Sequence, residues 1–402
     1  MEKGGLTSFF EDFIEREGFF LDRNVLTTSF SPESILFRDK EIEQLANILA
    51  PLLKNERSSN LFIYGNTGTG KTLTVRHVTS NMESVVVQRQ IPLKFLYVNC
   101  KMKRVADTEY RLIATFAALL GRQLPSTGLP TDEVYRVFYE SLENSHTHVL
   151  IVLDEVDQLI KKTGSDVLYN LTRVNEELKN SKITLLGISN DTTFLDNLDP
   201  RVKSSLSEEN LFFAPYNALQ MQSILRSRAE KAFRESAIDS GVVEKCAAFA
   251  AREHGDARKA IELLRVAGEL AERNKSKSIS LAYIDEAQEK LENEKIFEVI
   301  KNQPKQFQCV LYAILSLKSN TDFSYTSDIY NLYNKLCFKI GLRPLTQRRV
   351  SDIIGEFEQL GIISTKTISK GRYGRTREVS ARISNSTRPM AKKILEEELE
   401  IQ

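Results

Sequence analysis

The chain has 402 residues, with 55 Lys/Arg against 54 Asp/Glu and a formal net charge of +1, a length that calls for two or three domains, each burying its own core. Its four cysteines, Cys100, Cys246, Cys309 and Cys337, have no CxxC spacing, which argues for reduced thiols and against a disulfide framework or zinc site. There is no signal-type N-terminus and no run of 18 apolar residues, so the expectation is a cytoplasmic protein that does not enter a membrane. The near-neutral total hides a local excess. Residues 338 to 393 hold thirteen Lys/Arg and four Asp/Glu, a net of +9, which leaves about −8 for the rest. So local an imbalance is an electrostatic footprint for a polyanion.

After a polar N-terminal segment, SPESILFRDKEIEQLANILAPLL joins Ser/Pro/Glu start signals to a helical apolar period through Ile42, Leu45, Ile48 and Leu49. It leads into LFIYGNTGTGKTL, residues 61 to 73. An apolar strand, then Gly65, Asn66, Thr67, Gly68, Thr69, Gly70, Lys71 and Thr72, then a helical pattern is a phosphate-binding loop in the context it requires. The glycines let backbone N–H groups turn toward a β-phosphate, Lys71 reaches the β- and γ-phosphates, and the Thr72 hydroxyl can ligate Mg²⁺.

KFLYVNC gives a second strand and VLIVLDEVD, residues 149 to 157, a third whose continuous apolar run suits a strand buried on both faces. Acidic residues often end strands. Paired with the loop, however, Asp154 and Glu155 sit where open α/β sheets bind ligands. Asp154 is placed to hold Mg²⁺, and Glu155 to orient and deprotonate the water that attacks a γ-phosphate. ITLLGISND supplies a fourth strand ending on Ser189 and Asn190. Strands alternating with helices predict a parallel, helix-flanked sheet. The crossover at 103 to 147 is longer than a βαβ unit needs and holds two amphipathic patterns split by GRQLPSTGLPTDE.

From Tyr216 onward four helical patterns follow, LQMQSILRSRAEKAF, VVEKCAAFAAREHG, DARKAIELLRVAGELAERN and LAYIDEAQEKLEN. They predict a small helical lid over 216–300 behind a base at 1–215. The polar stretch 290 to 307, ending on Pro304, reads as a hinge into a third unit at 301–402. That unit begins with QCVLYAILSL and IYNLYNKLCFKIG, then LRPLTQRRVSDIIGEFEQLG, where Val350, Ile353, Ile354, Phe357 and Leu360 share one face. Thr346 can cap its start and Gly361 its end. A hairpin pattern, IISTKTIS and REVSARIS around the tip KGRYGRT, completes a winged helix. In such a domain the third helix enters the major groove and the wing follows the backbone or minor groove. Arg348 and Arg349 could be a solvated helix face, and a basic hairpin could protect an edge. Lys370, Arg372, Tyr373, Arg375 and Arg377, packed around Gly371 and Gly374, fit a tip that approaches DNA closely.

GNTGTGKT, VLIVLDEVD, GISND, LDPRVKSSL and GDARKAIELL, followed by LTQRRVSDIIGEFEQLGII, resemble the archaeal replication initiators of the origin-recognition-complex and cell-division-control type. The resemblance covers roughly residues 30 to 390. It implies an α/β AAA+ ATPase with a parallel sheet, a helical lid and a C-terminal winged helix, using ATP or ADP with Mg²⁺ as a slow hydrolytic switch. It implies that Asn190 is the sensor of the attacking water or γ-phosphate, Arg258 the lid arginine that reaches back to it, and Arg201 an arginine finger offered to a neighbour. Leu36, Phe37, Arg38, Tyr216 and Arg228 would form the adenosine pocket. In the family the long crossover carries a helical element that touches DNA. Here Arg122 is its nearest cation, and two helices simply packing on the core would serve as well. Origin duplex DNA, paralogous initiator subunits and the replicative helicase are the implied partners, at the nucleoid. A nucleotide-switched transcription regulator is the competing reading, and a motor or loader AAA+ protein a third; against the latter, the basic charge lies in the winged helix.

Overall fold

The computed structural model describes residues 18–401, apart from 29, 103–104, 126, 195, 197, 207, 253–254, 318–322, 370–374 and 385–386. Two compact units divide the chain, Met1–Ile284 and Asp285–Gln402.

The first unit is built on β1 (Asn60–Tyr64), β2 (Leu93–Asn99), β3 (His148–Asp154), β4 (Lys182–Ser189) and β5 (Glu208–Phe212), all parallel, in the order β2-β3-β4-β1-β5. Because successive side chains of a strand point to opposite faces, β3 feeds two cores. Val149, Ile151 and Leu153 join the cluster holding Leu112, Phe116 and Phe138. Leu150 and Val152 join the cluster holding Leu45, Leu49, Val75 and Val78. Every residue of β3 is buried, as its unbroken apolar run predicts. β5 is a strand the sequence does not announce: it is a short edge strand, EENLF, with no alternation to mark it.

Register places the functional ends side by side. Asn99 pairs with Asp154, Asp154 with Ile188, and Tyr64 with Ser189, so the strand ends that carry the phosphate loop, the two acidic residues and Asn190 share one edge. The long crossover holds the helices Glu109–Leu119 and Thr131–Ser145. Their Leu112, Ile113, Phe116, Val134, Phe138 and Leu142 are fully buried, so the two helices are part of the sheet's packing. Arg122, between them, is exposed.

The lid follows as Ala218–Ala232, Val242–Arg252 and Ala257–Arg273. The N-terminal segment, polar in sequence, is strapped to it. The Leu21 N–H donates to the Ala232 carbonyl at 2.8 Å and the Arg234 N–H to that of Phe19 at 3.0 Å. Phe20 lies 4.7 Å from Phe233, and Val25 and Leu26 are buried in a short 3₁₀ turn.

The stretch read as a hinge is helical instead, within Leu281–Asn302. Its Ile296, Phe297, Val299 and Ile300 pack on the core of the second unit, which is why the second unit begins upstream of residue 301. That unit continues with helices Lys305–Ser316, Thr326–Lys339 and Gln347–Gln359, then the antiparallel strands Ile363–Ser369 and Arg375–Ala381, paired from Ile363↔Ala381 to Ser369↔Arg375. Ser324–Tyr325 adds a third short strand, and a helix, Arg388–Glu398, closes the unit. Val350, Ile353, Ile354 and Phe357 are buried as the period predicts. Leu360, expected with them, caps the helix and is 50% exposed.

Candidate nucleotide site and DNA-binding surface

The phosphate loop leaves β1 and enters the helix Lys71–Arg89, with Gly68 at φ +71° and Gly70 at φ +91°, conformations that side chains rarely adopt. Lys71 is 5% exposed and turned onto the loop, donating to the carbonyls of Gly65 at 2.8 Å and Asn66 at 2.7 Å. Burial, with Arg258 nearby, lowers its pKa to about 8. A buried ammonium on two neutral carbonyls has charge to offer a phosphate.

Thr72 Oγ1 lies 3.2 and 3.3 Å from the two carboxylate oxygens of Asp154, which is 4% exposed and also accepts from the Tyr97 hydroxyl. An alcohol and a buried carboxylate at the mouth of the loop are the hard oxygen donors that suit Mg²⁺. Glu155 stands at φ 57°, ψ 46°, as N-cap of Val156–Thr163. That left-handed conformation is uncommon without glycine and costs roughly 1–3 kcal/mol, a strain found at functional sites. Its carboxylate is 3.9 Å from the Lys101 ammonium. Asn190 donates its backbone N–H to Asp157 Oδ1 at 3.4 Å, and Asp157 is itself buried at 5% exposure.

One cleft brings together Gly68, Lys71, Thr72, Asp154, Glu155, Asn190 and Arg258. The adjoining pocket is walled by Leu36, Tyr216, Arg228 and Ile261, and by Thr27, Phe30 and Pro32 of the N-terminal strap. Leu36, Tyr216 and Arg228 thus share one pocket beside the phosphate loop. Phe37 and Arg38 line neither pocket. Arg38 is a brace, 4% exposed, donating to the carbonyls of Thr69 at 3.0 Å and Ala214 at 2.6 Å while its guanidinium covers the Tyr216 ring at 4.1 Å. Arg228 spends its donors on the carbonyls of Val25 and Phe30, fixing the strap that forms the wall. Arg201 is apart from the cleft, its side chain 77% exposed and forked onto Asp199 at 3.0 and 3.1 Å. Tyr97, Asp157 and Asp256 bond to residues of the site; Asp157 and Asp256 lie inside the quoted motifs VLIVLDEVD and GDARKAIELL, but the motifs assign them no role.

In the second unit, Thr346 caps the helix Gln347–Gln359 by accepting the Arg349 N–H. Arg348 is exposed. Arg349 pairs with Glu356 at 3.4 Å and lies 5.9 Å from the Phe307 ring. Glu358 accepts from the Thr365 N–H and hydroxyl at 2.8 and 2.9 Å, joining this helix to the first wing strand. Arg377 is exposed on the second strand, which Arg375 opens. Lys370, Arg372 and Tyr373 lie outside the described residues. Among the described residues no helix is long and apolar enough to cross a membrane.

Three family models match in succession: an AAA domain over residues 54–191, the Cdc6 AAA+ ATPase-type lid domain over 222–289, and the CDC6 C-terminal winged helix domain over 298–387. The ORC1-type DNA replication protein of Thermococcus onnurineus is 47% identical over 389 residues, 96% of this chain and 93% of that one. That of Pyrococcus furiosus is 47% identical over 385 residues, 94% and 91% of the two chains. Among solved structures, the Aeropyrum pernix ORC1 protein in complex with DNA matches with a TM-score of 0.81 and 40% identity, covering 95% of this chain and 98% of that one. Three successive domains in the same order and near-half identity across almost the whole length lead to one conclusion: the chain belongs to the ORC1-type DNA replication proteins, AAA+ initiators with a C-terminal winged helix.

Proposed function

We propose that the protein binds duplex DNA at replication origins through its winged helix, under the control of ATP or ADP held in the cleft of its first unit, and helps to recruit the replicative helicase. The observation that carries this reading is the 40% identity, over 95% of the chain, to an ORC1 protein solved with DNA. Functionally the chain divides into a base at 1–215, a lid from 216 to the end of the first unit at Ile284, and a DNA-binding unit at Asp285–Gln402.

In this reading the loop from Gly65 to Gly70 wraps the phosphates with its N–H groups, and Lys71 leaves its two carbonyls to pair with them. Thr72 and Asp154 would hold Mg²⁺, which supplies charge neutralisation to the phosphates when bound. Glu155 takes the proton of the attacking water, Asn190 orients that water, and Arg258 reaches the γ-phosphate from the lid. Arg201, solvent-facing and clear of its own cleft, is free to serve the nucleotide of a paralogous subunit. Hydrolysis is slow and resets the switch.

On DNA, Arg348 reads a base edge while Thr346 and Arg349 at the same helix start meet phosphates. The wing contributes Lys370, Arg372, Tyr373, Arg375 and Arg377, and Arg122 in the first unit makes a second, smaller contact. Arg348→Ala is expected to cost about 1–3 kcal/mol on the specific site and much less on random duplex. Removing Arg375 and Arg377 should weaken both kinds of DNA and flatten the salt slope by roughly 0.9 for each phosphate no longer neutralised. Fluorescence anisotropy over a salt series measures both. Full affinity and unchanged slopes in all these variants would move the main DNA-binding surface to the crossover around Arg122.

A further inference from the structure

The carboxylate of Asp256 is shared between two elements. Its Oδ1 accepts the Arg258 N–H at 2.9 Å and so caps the lid helix Ala257–Arg273. Its Oδ2 accepts from the Thr67 hydroxyl of the phosphate loop at 3.1 Å. The Ala257 N–H adds a bond to the Gly68 carbonyl at 3.3 Å. The junction has no slack: a Cβ on Gly68 would stand 1.8 Å from Asp256 Oδ1, and one on Gly255 would stand 2.7 Å from the Tyr216 carbonyl. Asp256 is itself 7% exposed, while its two bonds are part-buried and the Thr67 end is exposed, so each is worth an ordinary hydrogen bond.

From this geometry we propose that Asp256 is a positioning residue coupling the phosphate loop to the lid: through Thr67 it senses the loop, and through the cap it sets where Arg258 stands. The inference rests on the nucleotide site proposed above. Arg258 lines the phosphate cleft, and its backbone is fixed by the same carboxylate that holds Thr67. A loop that settles differently around a triphosphate and a diphosphate therefore shifts the arginine that distinguishes them. A ligand moves such an equilibrium only by its differential affinity for the two arrangements, so the coupling must show in the ratio of ATP to ADP affinity and not in the affinity for either alone.

The test is calorimetry of ATP and of ADP, with Mg²⁺, on full-length protein carrying Asp256→Ser, Thr67→Val or Arg258→Ala, and on the two doubles with Arg258→Ala. Serine still caps the helix but is too short to reach Thr67. Valine keeps the shape of Thr67 without its hydroxyl, so it decides the matter alone should Asp256→Ser fail to fold. Each of these two single variants should lower the ATP-to-ADP affinity ratio roughly 2- to 10-fold, the range of one hydrogen bond. In the Arg258→Ala background neither should lower it further, because coupled residues are not additive. Wild-type ratios in the singles, or losses that add in full to that of Arg258→Ala, would overturn the coupling. A wild type that binds neither nucleotide would overturn the site itself and the coupling with it.

Discussion

Lys71→Ala is expected to abolish nucleotide binding. The side chain is an ammonium that the loop wraps from within, 5% exposed and donating to the carbonyls of Gly65 and Asn66. Alanine leaves those carbonyls facing phosphate with no charge between them. The wild type should gain about 2.7 kcal/mol of apparent stability at a ligand concentration 100 times its dissociation constant, and the variant none, so thermal unfolding with and without ATP reads the loss directly. The lowered pKa of Lys71, to about 8, gives a second signature. Above pH 8 the free site holds a neutral amine, whereas phosphates favour the ammonium. Binding at pH 9 should therefore take up a proton and weaken as pH rises further, while at pH 7 it should be proton-neutral at this group. Calorimetry in two buffers of different ionisation enthalpy separates the cases, and equal ATP affinity in Lys71→Ala and wild type would refute the phosphate-loop assignment.

Glu155→Gln should part binding from turnover. The amide keeps the size and the left-handed turn at the end of β3, so ATP and Mg²⁺ should bind with wild-type affinity. The base is lost, and turnover should fall by about 10² or more. The substitution also breaks the pairing with Lys101 at 3.9 Å, whose ammonium end is 73% exposed, a long, solvent-screened pair of small value, so the kinetic loss is not a stability effect. Steady-state phosphate release, measured with DNA and a paralogous subunit present, decides this. No turnover by the wild type under those conditions would leave Glu155 without a catalytic role and make the nucleotide a static switch.

Residues whose roles are written in local sequence were legible. The phosphate loop announces itself because its backbone needs glycine where few other residues fit, and β3 because a strand buried on both faces must be apolar throughout. The winged helix was legible from the 3.6-residue period of Val350, Ile353, Ile354 and Phe357 and the cap at Thr346. What escaped depends on long-range partners. β5 is a strand only because β1 offers it an edge. The hinge reading failed because the short apolar run Ile296, Phe297, Val299 and Ile300, set among polar residues, finds its core only in the second unit. Asp157 and Asp256 are ordinary acidic residues in sequence, and only the fold sets one against Asn190 and the other against Thr67. Arg38 was read as a pocket residue, yet its neighbours Thr69 and Ala214 lie 31 and 176 positions away and turn it into a brace.

The central claim, nucleotide-regulated binding at replication origins, is tested most directly by footprinting the protein on fragments of its own genome with and without ATP. The account predicts protected segments clustered at replication start points, with a pattern or occupancy that changes with nucleotide. Protection dispersed over promoters and absent from replication start points would contradict it and identify the chain as a transcription regulator.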